Sequence, residues 1–333
     1  MIKRIACALV VASAFVALAA QGPAIGGAAP GPALRTPATT LAKALVCTRN
    51  LAGAQREPVL LVAGTGATPA EQYSWNYEPA LSSRGVPWCA ITLPNHTLGD
   101  IQVDAEYVVS AVRRMYAIGR RRVAIVGHSQ GGMIPRWPLK FWPDVRAKVA
   151  DMISLAADNH GDSVITNLGV CAISCVPAAW QQKPGSAFLR ALNYPVETYA
   201  GISYSQIYTA DDELSTPAGD RGTSPLHTGG GQIANIEIQR ICPLDVSEHV
   251  LLGSTDPVGF ALVMDAITHN GPASAARIAR SVCAEGVIPG FSAANATRML
   301  TAVPYLISAA SPLNLAGVTK LRAPPPLRAY VPR

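Results

Sequence analysis

The sequence predicts an α/β fold in which a mostly parallel central sheet carries helices on both of its faces. Continuous apolar runs are typical of buried parallel strands, and three of them lie at 58–63, 88–93 and 123–126. Residues 100–119 show helical periodicity, with Asp100 as a predicted N-cap and Gly119 as a predicted left-handed stop. Since strands and helices alternate along the chain, we expect helices on both sides of the sheet.

The third apolar run leads directly into a serine between two glycines. Residues 127–131 are Gly-His-Ser-Gln-Gly, which fits the G-x-S-x-G pattern of a nucleophile elbow. A side chain at either glycine would collide with a neighbouring strand or helix. Ser129 would stand at the N-terminus of a helix that we expect to kink or shorten at Pro135 and Pro138, and such a terminus stabilises an oxyanion. A chance match is the alternative, but the strand before the motif and the helix after it favour the elbow.

Partners for this serine are predicted after the strands that follow. In folds that carry a nucleophile elbow of this kind the chain order is serine, acid, histidine. The apolar runs 152–156 and 202–209 lead to carboxylates at the expected carboxyl edge of the sheet, which are Asp158 after the first run and Asp211, Asp212 and Glu213 after the second. A third run at 233–241 precedes His249. It is the best placed of the six histidines, which are His96, His128, His160, His227, His249 and His269.

An oxyanion hole needs two backbone donors that face the tetrahedral intermediate. One comes from the residue after the nucleophile and the other from a loop after an early strand. Gln130 and Thr65 fit these positions, because Thr65 lies in the glycine-containing loop after the first apolar run. The Thr65 hydroxyl would be a third donor. A plain turn is the alternative interpretation of this loop.

The composition indicates one folded domain at 41–315 between two segments that lack a core of their own. Of the 333 residues, 49% are hydrophobic and 14% are charged, which is ample for a large core. Residues 21–40 are rich in Pro, Gly and Ala and predict a flexible leader, and residues 316–333 predict an extended proline-rich tail. The net charge of +6 is scattered apart from residues 120–122, so no nucleic-acid partner is expected.

Residues 1–20 have the pattern of a secretory signal peptide. Lys3 and Arg4 precede an apolar run, and we expect cleavage near Ala19 or Ala20 and a secreted mature protein. A retained membrane anchor is the alternative, but the run is shorter than the roughly 20 residues that span a bilayer. Cleavage would remove Cys7 and leave an even number of cysteines, which favours disulfides in an exported chain.

The cysteines do not indicate a metal site. Cys171 and Cys175 could close a small local loop, with two buried thiols as the alternative, and parity alone does not determine the pairing of the others. No cysteine–histidine group has the spacing of metal ligands. We therefore expect neither a metal nor a cofactor.

From about residue 40 to residue 309 the sequence resembles the lipase B-like branch of the α/β-hydrolases, which has a yeast member and bacterial members. The resemblance rests on irregular stretches in one order: LLVAGTGAT at 60–68, IQVDAEYVVSAV at 101–112, SQGG at 129–132, FWPDVRAKV at 141–149, AADNHG at 156–161, WQQ at 180–182, ADDEL at 210–214 and IC at 241–242. Such a series is much more specific than G-x-S-x-G alone. It implies the α/β-hydrolase fold and hydrolysis of carboxylic esters.

The resemblance also implies roles for individual residues. Ser129 would be the nucleophile, Asp212 rather than Asp211 the acid and His249 the general base, with Thr65 and Gln130 as oxyanion donors. The implied substrate-contacting residues are Gln182, Asp158, His128 and Leu214. The implied disulfides are Cys47–Cys89 and Cys242–Cys283, which leave Cys171 and Cys175 for each other.

Two departures from the yeast member and one match to it concern the entrance to the site. His128 stands where that enzyme has a tryptophan in its alcohol-side pocket, so its enantioselectivity does not carry over. Cys171 and Cys175 fall in the segment that forms a short mobile lid there, and a disulfide would stiffen it. Residues 295–309 match a long apolar helix at the entrance, and its side chains could face either lipid or the core; they are Met299, Leu300, Val303, Leu306 and Ile307.

The sequence therefore predicts a secreted, monomeric serine hydrolase, a lipase or esterase that cleaves acylglycerols or other lipophilic esters through an acyl-enzyme on Ser129. A lipid–water interface is a further candidate partner. One alternative is a polyester hydrolase or an acyltransferase that uses the same triad. Another is a non-enzymatic binding protein, which a broken triad would mark, and no member of the triad is missing from this sequence.

Overall fold

The computed structural model describes residues 29–167, 169–311 and 313–332. The predicted signal peptide at 1–20 lies outside the described residues, as do residues 21–28 of the predicted leader. Within the described residues one sheet contains seven strands: β1 (Leu45–Cys47), β2 (Val59–Val62), β3 (Trp88–Ile91), β4 (Val123–His128), β5 (Val149–Leu155), β6 (Ser203–Tyr208) and β7 (Gln232–Glu237).

The sheet has the strand order β1-β3-β2-β4-β5-β6-β7. β1 runs antiparallel to β3, and every other neighbouring pair is parallel. The α-helices around it are α1 (Ala38–Lys43), α2 (Pro69–Gln72), α3 (Tyr77–Ser83), α4 (Ile101–Gly119), α5 (Gln130–Met133), α6 (Arg136–Phe141), α7 (Pro143–Arg146), α8 (Ser163–Asn167), α9 (Pro177–Gln182), α10 (Ala187–Asn193), α11 (His249–Leu252), α12 (Pro257–Thr268), α13 (Ala293–Ala296) and α14 (Val303–Ala310).

Two hydrophobic cores lie on the two faces of this sheet. Successive side chains of a strand point to opposite faces. Leu60 and Val62 of β2 pack in one core together with residues of α4 and α6. Val59 and Leu61 of the same strand pack in the other core together with residues of α3 and α12. The predicted mostly parallel sheet with helices on both faces is confirmed.

Helix α4 begins as predicted and ends differently. Asp100 accepts a hydrogen bond from the backbone N–H of Gln102 at 3.0 Å, which caps the N-terminus. The left-handed residue at the other end is Arg120, with φ 52°, and not Gly119. Gly119 is instead the last helical residue, and a Cβ there would lie 3.3 Å from Leu51. Close packing against the loop before β2 therefore accounts for the glycine.

Two of the predicted helices are divided into shorter segments. The helix after the elbow is interrupted as expected, since α5 ends at Met133 and α6 begins at Arg136. The apolar helix expected at 295–309 consists of α13, a 3₁₀ segment at Thr297–Ala302, and α14. Pro304 lies in the first turn of α14, where the missing backbone N–H would have no helical partner.

Residues 29–40 lie against the domain, which differs from the expected flexible leader. A carboxylate oxygen of Glu106 in α4 accepts hydrogen bonds from the backbone N–H groups of Arg35 and Thr36, at 2.8 and 2.7 Å. The indole of Trp142 donates to the carbonyl of Pro32 at 2.7 Å. A segment with few apolar residues is thus held through its backbone, which the composition of the segment does not reveal.

The C-terminal residues pack on the domain. The indole of Trp137 donates to the hydroxyl of Tyr330 at 2.9 Å, and Val331 is buried. Upstream, Cys175 and Leu321 exchange two backbone hydrogen bonds of 3.0 and 2.8 Å. The tail therefore connects α6 with the Cys171–Cys175 region.

Candidate active site

Ser129 lies between β4 and α5 in a backbone conformation that few residues adopt. Its φ of 56° and ψ of −130° are costly for a residue with a Cβ. Neither flanking glycine has room for a side chain. A Cβ on Gly127 would lie 2.0 Å from the carbonyl oxygen of Gly131, and a Cβ on Gly131 would lie 2.2 Å from that of Val62. The turn therefore requires both glycines and presents Ser129 at the carboxyl end of β4.

Two backbone N–H groups beside the serine have no partner within the described residues. They belong to Thr65, in the loop after β2, and to Gln130, the first residue of α5. The loop approaches the serine closely, because a Cβ on Gly64 would lie 3.1 Å from the Cβ of Ser129. Two free donors next to a nucleophile have the composition of an oxyanion hole.

Side-chain amides hold these two donors in place. The Thr65 hydroxyl donates to Oε1 of Gln130 at 2.7 Å and lies 3.2 Å from Oε1 of Gln182. Gln182 donates to the same Gln130 oxygen at 3.1 Å, and Gln130 donates to the carbonyl of Thr97 at 3.0 Å. The Thr65 hydroxyl, predicted as a third oxyanion donor, is therefore engaged with a side chain in this structure. It would have to leave Gln130 in order to reach an oxyanion.

Asp212 and His249 form a buried pair. Nδ1 of His249 lies 3.0 and 3.1 Å from the two carboxylate oxygens of Asp212, and the two residues are 3% and 6% exposed. Oδ1 of Asp212 also accepts the backbone N–H groups of Leu214 and Ser215, at 3.1 and 2.6 Å. Asp211 is exposed. The structure thus places Asp212, and not its neighbour, against the histidine.

The surroundings of His249 favour its protonated form. Burial by itself would lower the pKa of His249, but the hydrogen bond with Asp212 and the charge of Asp212 raise it above its usual value, with help from Glu213 and Asp158. The Asp212 carboxylate accepts a hydrogen bond from the N–H at Nδ1, so the proton stays on Nδ1 and Nε2 is the nitrogen left to act as a base.

Ser129 and His249 line one cavity of about 420 Å³. Within the described residues the His249 side chain is hydrogen-bonded to Asp212 and not to Ser129. In structures without substrate such catalytic bonds are often long and tighten on binding. The cavity wall is mostly apolar, and its lining includes Val164, Ile165, Val170, Leu214, Leu300 and Leu306.

Three carboxyl groups line the mostly apolar cavity, namely Glu71, Asp158 and Asp162. Asp158 is 1% exposed, and neither of its oxygens has a hydrogen-bond partner within the described residues. Burial, and then the charge of Asp162, raise the pKa of Asp158 to about 7. Burial also raises the pKa of Asp162 to about 6. This part of the wall is therefore largely neutral in mildly acidic solution.

The sequence places these features in a known family. Residues 56–239, more than half of the chain, match the family described as Lipase (class 2). The chain belongs to the class 2 lipases. The match includes Thr65, Ser129 and Asp212 but ends before His249, so the position of this histidine in the site rests on its hydrogen bonds to Asp212.

Two lipases B are similar to this class 2 lipase. It is 33% identical over 223 residues to lipase B of Pseudozyma antarctica, an alignment that covers 66% of this chain and 64% of that protein, slightly less than two thirds of its length. The crystal structure of Aspergillus fumigatus lipase B matches with a TM-score of 0.78 and 27% identity over 93% of this chain and 76% of the other. The fold is thus shared over almost the whole described chain.

The four predicted substrate-contacting residues of this class 2 lipase all line the cavity: Gln182, Asp158, His128 and Leu214. Asp162 and Gln72 line it too, and the sequence analysis missed both. Asp162 had a signal, since it follows Asp158 after the same strand. Gln72 had none, because it reaches the site only where α2 folds against the elbow and its Nε2 lies 2.7 Å from Nδ1 of His128.

The described part of this class 2 lipase contains three disulfides, in the pairing that the resemblance implied: Cys47–Cys89, Cys171–Cys175 and Cys242–Cys283. The bond between Cys171 and Cys175 adjoins the cavity, because Val170 is part of the cavity wall. The backbone of Cys175 is further paired with Leu321 of the tail. In the segment compared above with a mobile lid, the disulfide closes a small loop and backbone hydrogen bonds join Cys175 to the tail.

Four of the five side chains singled out at 295–309 form the mouth of the cavity. Met299, Leu300, Val303 and Leu306 line the cavity and are also 39%, 64%, 42% and 43% exposed. Leu306 contacts the loop after β2 that contains Gly64, Thr65 and Gly66, which we call the oxyanion loop, since a Cβ on Gly66 would lie 2.8 Å from Cδ2 of Leu306. The mouth is therefore an apolar surface in contact with solvent.

Proposed function

We propose that this class 2 lipase is a secreted serine carboxylic ester hydrolase that cleaves lipophilic esters through an acyl-enzyme on Ser129. The observation that carries the proposal is the buried Asp212–His249 pair, which shares one apolar cavity with a serine held at positive φ. Membership of a lipase family and similarity to two lipases B support ester hydrolysis.

In the acylation step, the Oγ of Ser129 attacks the ester carbonyl carbon while Nε2 of His249 takes the hydroxyl proton. Asp212 holds the imidazole with its proton on Nδ1 and stabilises the imidazolium that forms. The carbonyl oxygen becomes an oxyanion and accepts hydrogen bonds from the N–H groups of Thr65 and Gln130. His249 then gives its proton to the leaving alcohol, and the acyl group stays on Ser129.

In the deacylation step, water attacks the acyl-enzyme and His249 again removes the proton. The same two N–H groups stabilise the second oxyanion, and collapse of the intermediate releases the carboxylic acid and the Ser129 hydroxyl. Each oxyanion donor is worth about 10²–10³ in rate.

The cavity and its mouth favour a lipophilic substrate. The wall offers apolar contact to an acyl chain, and each buried methylene contributes about 0.8 kcal/mol. The exposed apolar residues at the mouth are suited to contact with a lipid–water interface. Acylglycerols are therefore the natural substrate class for this site.

Secretion is supported by the disulfides. Such bonds persist in oxidising compartments and are rare in the cytosol. Three of them in one chain agree with export by the predicted signal peptide.

The test compares the purified protein with its Ser129→Ala variant on p-nitrophenyl esters from acetate to palmitate and on an emulsified triglyceride. We expect hydrolysis that extends to long chains, and its loss in the variant together with loss of labelling by a fluorophosphonate probe. Circular dichroism of the variant checks that the fold is retained. Hydrolysis that persists in Ser129→Ala, or an unreactive Ser129 in a folded wild-type protein, would contradict the proposal.

A further inference from the structure

Three buried hydrogen bonds connect the parts of the site through residues that have no role in the proposed chemistry. The backbone N–H of Gly64 donates to Oε1 of Gln72 at 2.8 Å. Nε2 of Gln72 lies 2.7 Å from Nδ1 of His128, and Nε2 of His128 lies 2.9 Å from the backbone carbonyl oxygen of His249. We call this chain of contacts the Gln72–His128 bridge.

The donor at one end of the bridge, the N–H of Gly64, and the acceptor at the other, the carbonyl of His249, fix the direction of its hydrogen bonds. The carbonyl oxygen of His249 can only accept, so Nε2 of His128 carries a proton. Because Gln72 accepts the Gly64 N–H with Oε1, it presents its NH₂ group to His128, and Nδ1 of His128 must accept. His128 is therefore the neutral Nε2–H tautomer. A second proton would set donor against donor at Nδ1, and a flipped Gln72 amide would only move that conflict to Gly64.

Each end of the bridge lies at a residue of the proposed machinery. Gly64 precedes the oxyanion donor Thr65, His128 precedes the nucleophile Ser129, and the last acceptor is the backbone of His249 itself. The three come from separate segments of the chain, namely the loop after β2, the elbow and the start of α11. The hydrogen-bond chain therefore sets the position of these segments relative to one another.

The ring of His128 packs so closely against Gly253 that this position has no room for a side chain. A Cβ on Gly253, at the end of α11, would lie 2.0 Å from Cδ2 of His128, and its three nearest atoms would all belong to that ring. The φ of Gly253 is −77°, so its backbone conformation is open to any residue and only the space requires glycine. Burial, and then the charge of His249, lower the pKa of His128 well below its usual value, which keeps the ring neutral.

We propose that Gln72 and His128 are positioning residues, which hold the oxyanion loop, the nucleophile elbow and the catalytic histidine in one arrangement. The inference rests on the proposed function, since it concerns the rate of that reaction. The competing role for His128 is that of a plain wall residue, because its side chain also lines the cavity. A wall residue affects substrate binding, whereas a positioning residue affects the chemical step.

The experiment measures kcat and KM on a short, dissolved p-nitrophenyl ester for His128→Phe, His128→Asn and His128→Gln. Phenylalanine keeps a ring but makes neither bond. The amide nitrogen of glutamine reaches about as far as Nε2 and can still donate to the carbonyl of His249, whereas asparagine is too short. His269→Phe is the matched control, because the His269 side chain is half-exposed and outside the site.

We expect His128→Phe to lose about 10–100-fold in kcat with little change in KM, because small displacements of catalytic groups are costly. His128→Gln should recover part of this loss, while His128→Asn should not. His269→Phe should match the wild type. A loss confined to KM, or equal kcat values for wild type and His128→Phe, would overturn the proposal.

A second variant disturbs the bridge without removing any of its polar atoms. Gly253→Ala should lower kcat in the wild-type background, because the new methyl group displaces the His128 ring. In a His128→Ala background the same change should cost nothing further, since the atoms that it meets are gone. Equal fold-losses in the two backgrounds would show that Gly253 acts independently of His128 and would contradict the bridge.

The tautomer provides a test that does not depend on activity. NMR of ¹⁵N-histidine-labelled Ser129→Ala protein should show a protonated Nε2 and an unprotonated Nδ1 for His128 from mildly acidic to mildly basic pH. The His128 signals are identified by their absence from the spectrum of a His128→Gln variant. A proton on Nδ1 would contradict the bridge, whether or not the wild-type enzyme is active. An inactive wild type with the expected tautomer would instead contradict the proposed function and leave the geometry of the bridge intact.

Discussion

Two neighbouring imidazoles of the site carry their protons on opposite nitrogens. His249 presents Nδ1 to Asp212, whereas His128 presents Nε2 to the backbone carbonyl of His249, and the ring centroids lie 4.6 Å apart. Both are buried, yet the pKa of His249 is raised by its carboxylate and that of His128 is lowered by burial and by His249. One ring can therefore gain a proton during a reaction while the other stays neutral.

At the scale of single residues, we expect activity to fall on acidification with an apparent pKa above the reference value of about 6.5. The sign follows from the base, because protonated His249 cannot take the Ser129 proton and a raised pKa moves protonation to higher pH. A pH profile of kcat/KM measures it. In Asp212→Asn this acid limb should move to lower pH, since the stabilising charge is lost, and kcat should fall by about 10⁴.

The controls for that profile are Asp158→Asn and Asp162→Asn. Asp158 has a pKa raised to about 7 and titrates in the same range. An acid limb that persists in Asp158→Asn and in Asp162→Asn comes from neither carboxyl group, which leaves His249. An acid limb that is unchanged in Asp212→Asn would contradict the assignment of His249 as the base.

The elbow shows how one element depends on its neighbours for its geometry. β4 and α5 approach so closely that Gly127 touches the backbone of Gly131, and Gly131 in turn touches the carbonyl end of β2. The strained φ of Ser129 persists because β4, α5 and the end of β2 pack closely on both sides of the turn. The same closeness places the N–H of Gln130 beside the nucleophile.

At the scale of the element, Gly131→Ala should destabilise the fold and abolish fluorophosphonate labelling. Its Cβ would lie 2.2 Å from a backbone oxygen, which cannot move away as a side chain can, and such overpacking typically costs about 1–3 kcal/mol or more. Gly286→Ala is the control, because a Cβ there meets nothing within 4 Å. Thermal unfolding and labelling measure both effects. A Gly131→Ala protein as stable and reactive as Gly286→Ala would refute the steric argument.

Over the whole molecule, the segments that flank the predicted domain take part in its packing. Residues 29–40 are held by Glu106 and Trp142, and the tail reaches Trp137 and the Cys171–Cys175 region. The tail therefore packs against the segment that contributes Val170 to the cavity wall. On another side the 3₁₀ segment Thr297–Ala302 and α14 expose apolar side chains to solvent. The tail thus packs beside one side of the cavity, and apolar side chains form its mouth.

At the scale of the molecule, Leu300→Glu should reduce the ratio of activity on emulsified triglyceride to activity on a dissolved ester. Loss of one buried leucine contact with lipid is worth about 1.5–3 kcal/mol, or about 10- to 100-fold in adsorption. Val46→Glu is the matched control, because Val46 on the edge strand β1 is 63% exposed and Leu300 is 64% exposed. An equal ratio in both variants would argue against a lipid-contacting mouth.

Most of the strand pattern was predictable because buried parallel strands are continuous apolar runs, and the elbow because its glycines are required by sterics. The ends of the helices and strands were less predictable. The left-handed residue after α4 is Arg120 rather than Gly119, and Gly119 packs closely against Leu51, which a helical pattern does not reveal. The break at 297–302 depends on how the chain packs at the mouth.

The sequence by itself determined the α/β fold, the elbow with Ser129, and the candidate acid and histidine after later strands. These features follow from local rules of periodicity, glycine sterics and strand order. Only the tertiary structure decided that Asp212 faces His249, that Gln72 bonds His128, and that the terminal segments pack on the domain. Each of these contacts joins residues far apart in the chain, and whether such side chains meet depends on how whole elements pack, which local patterns do not encode.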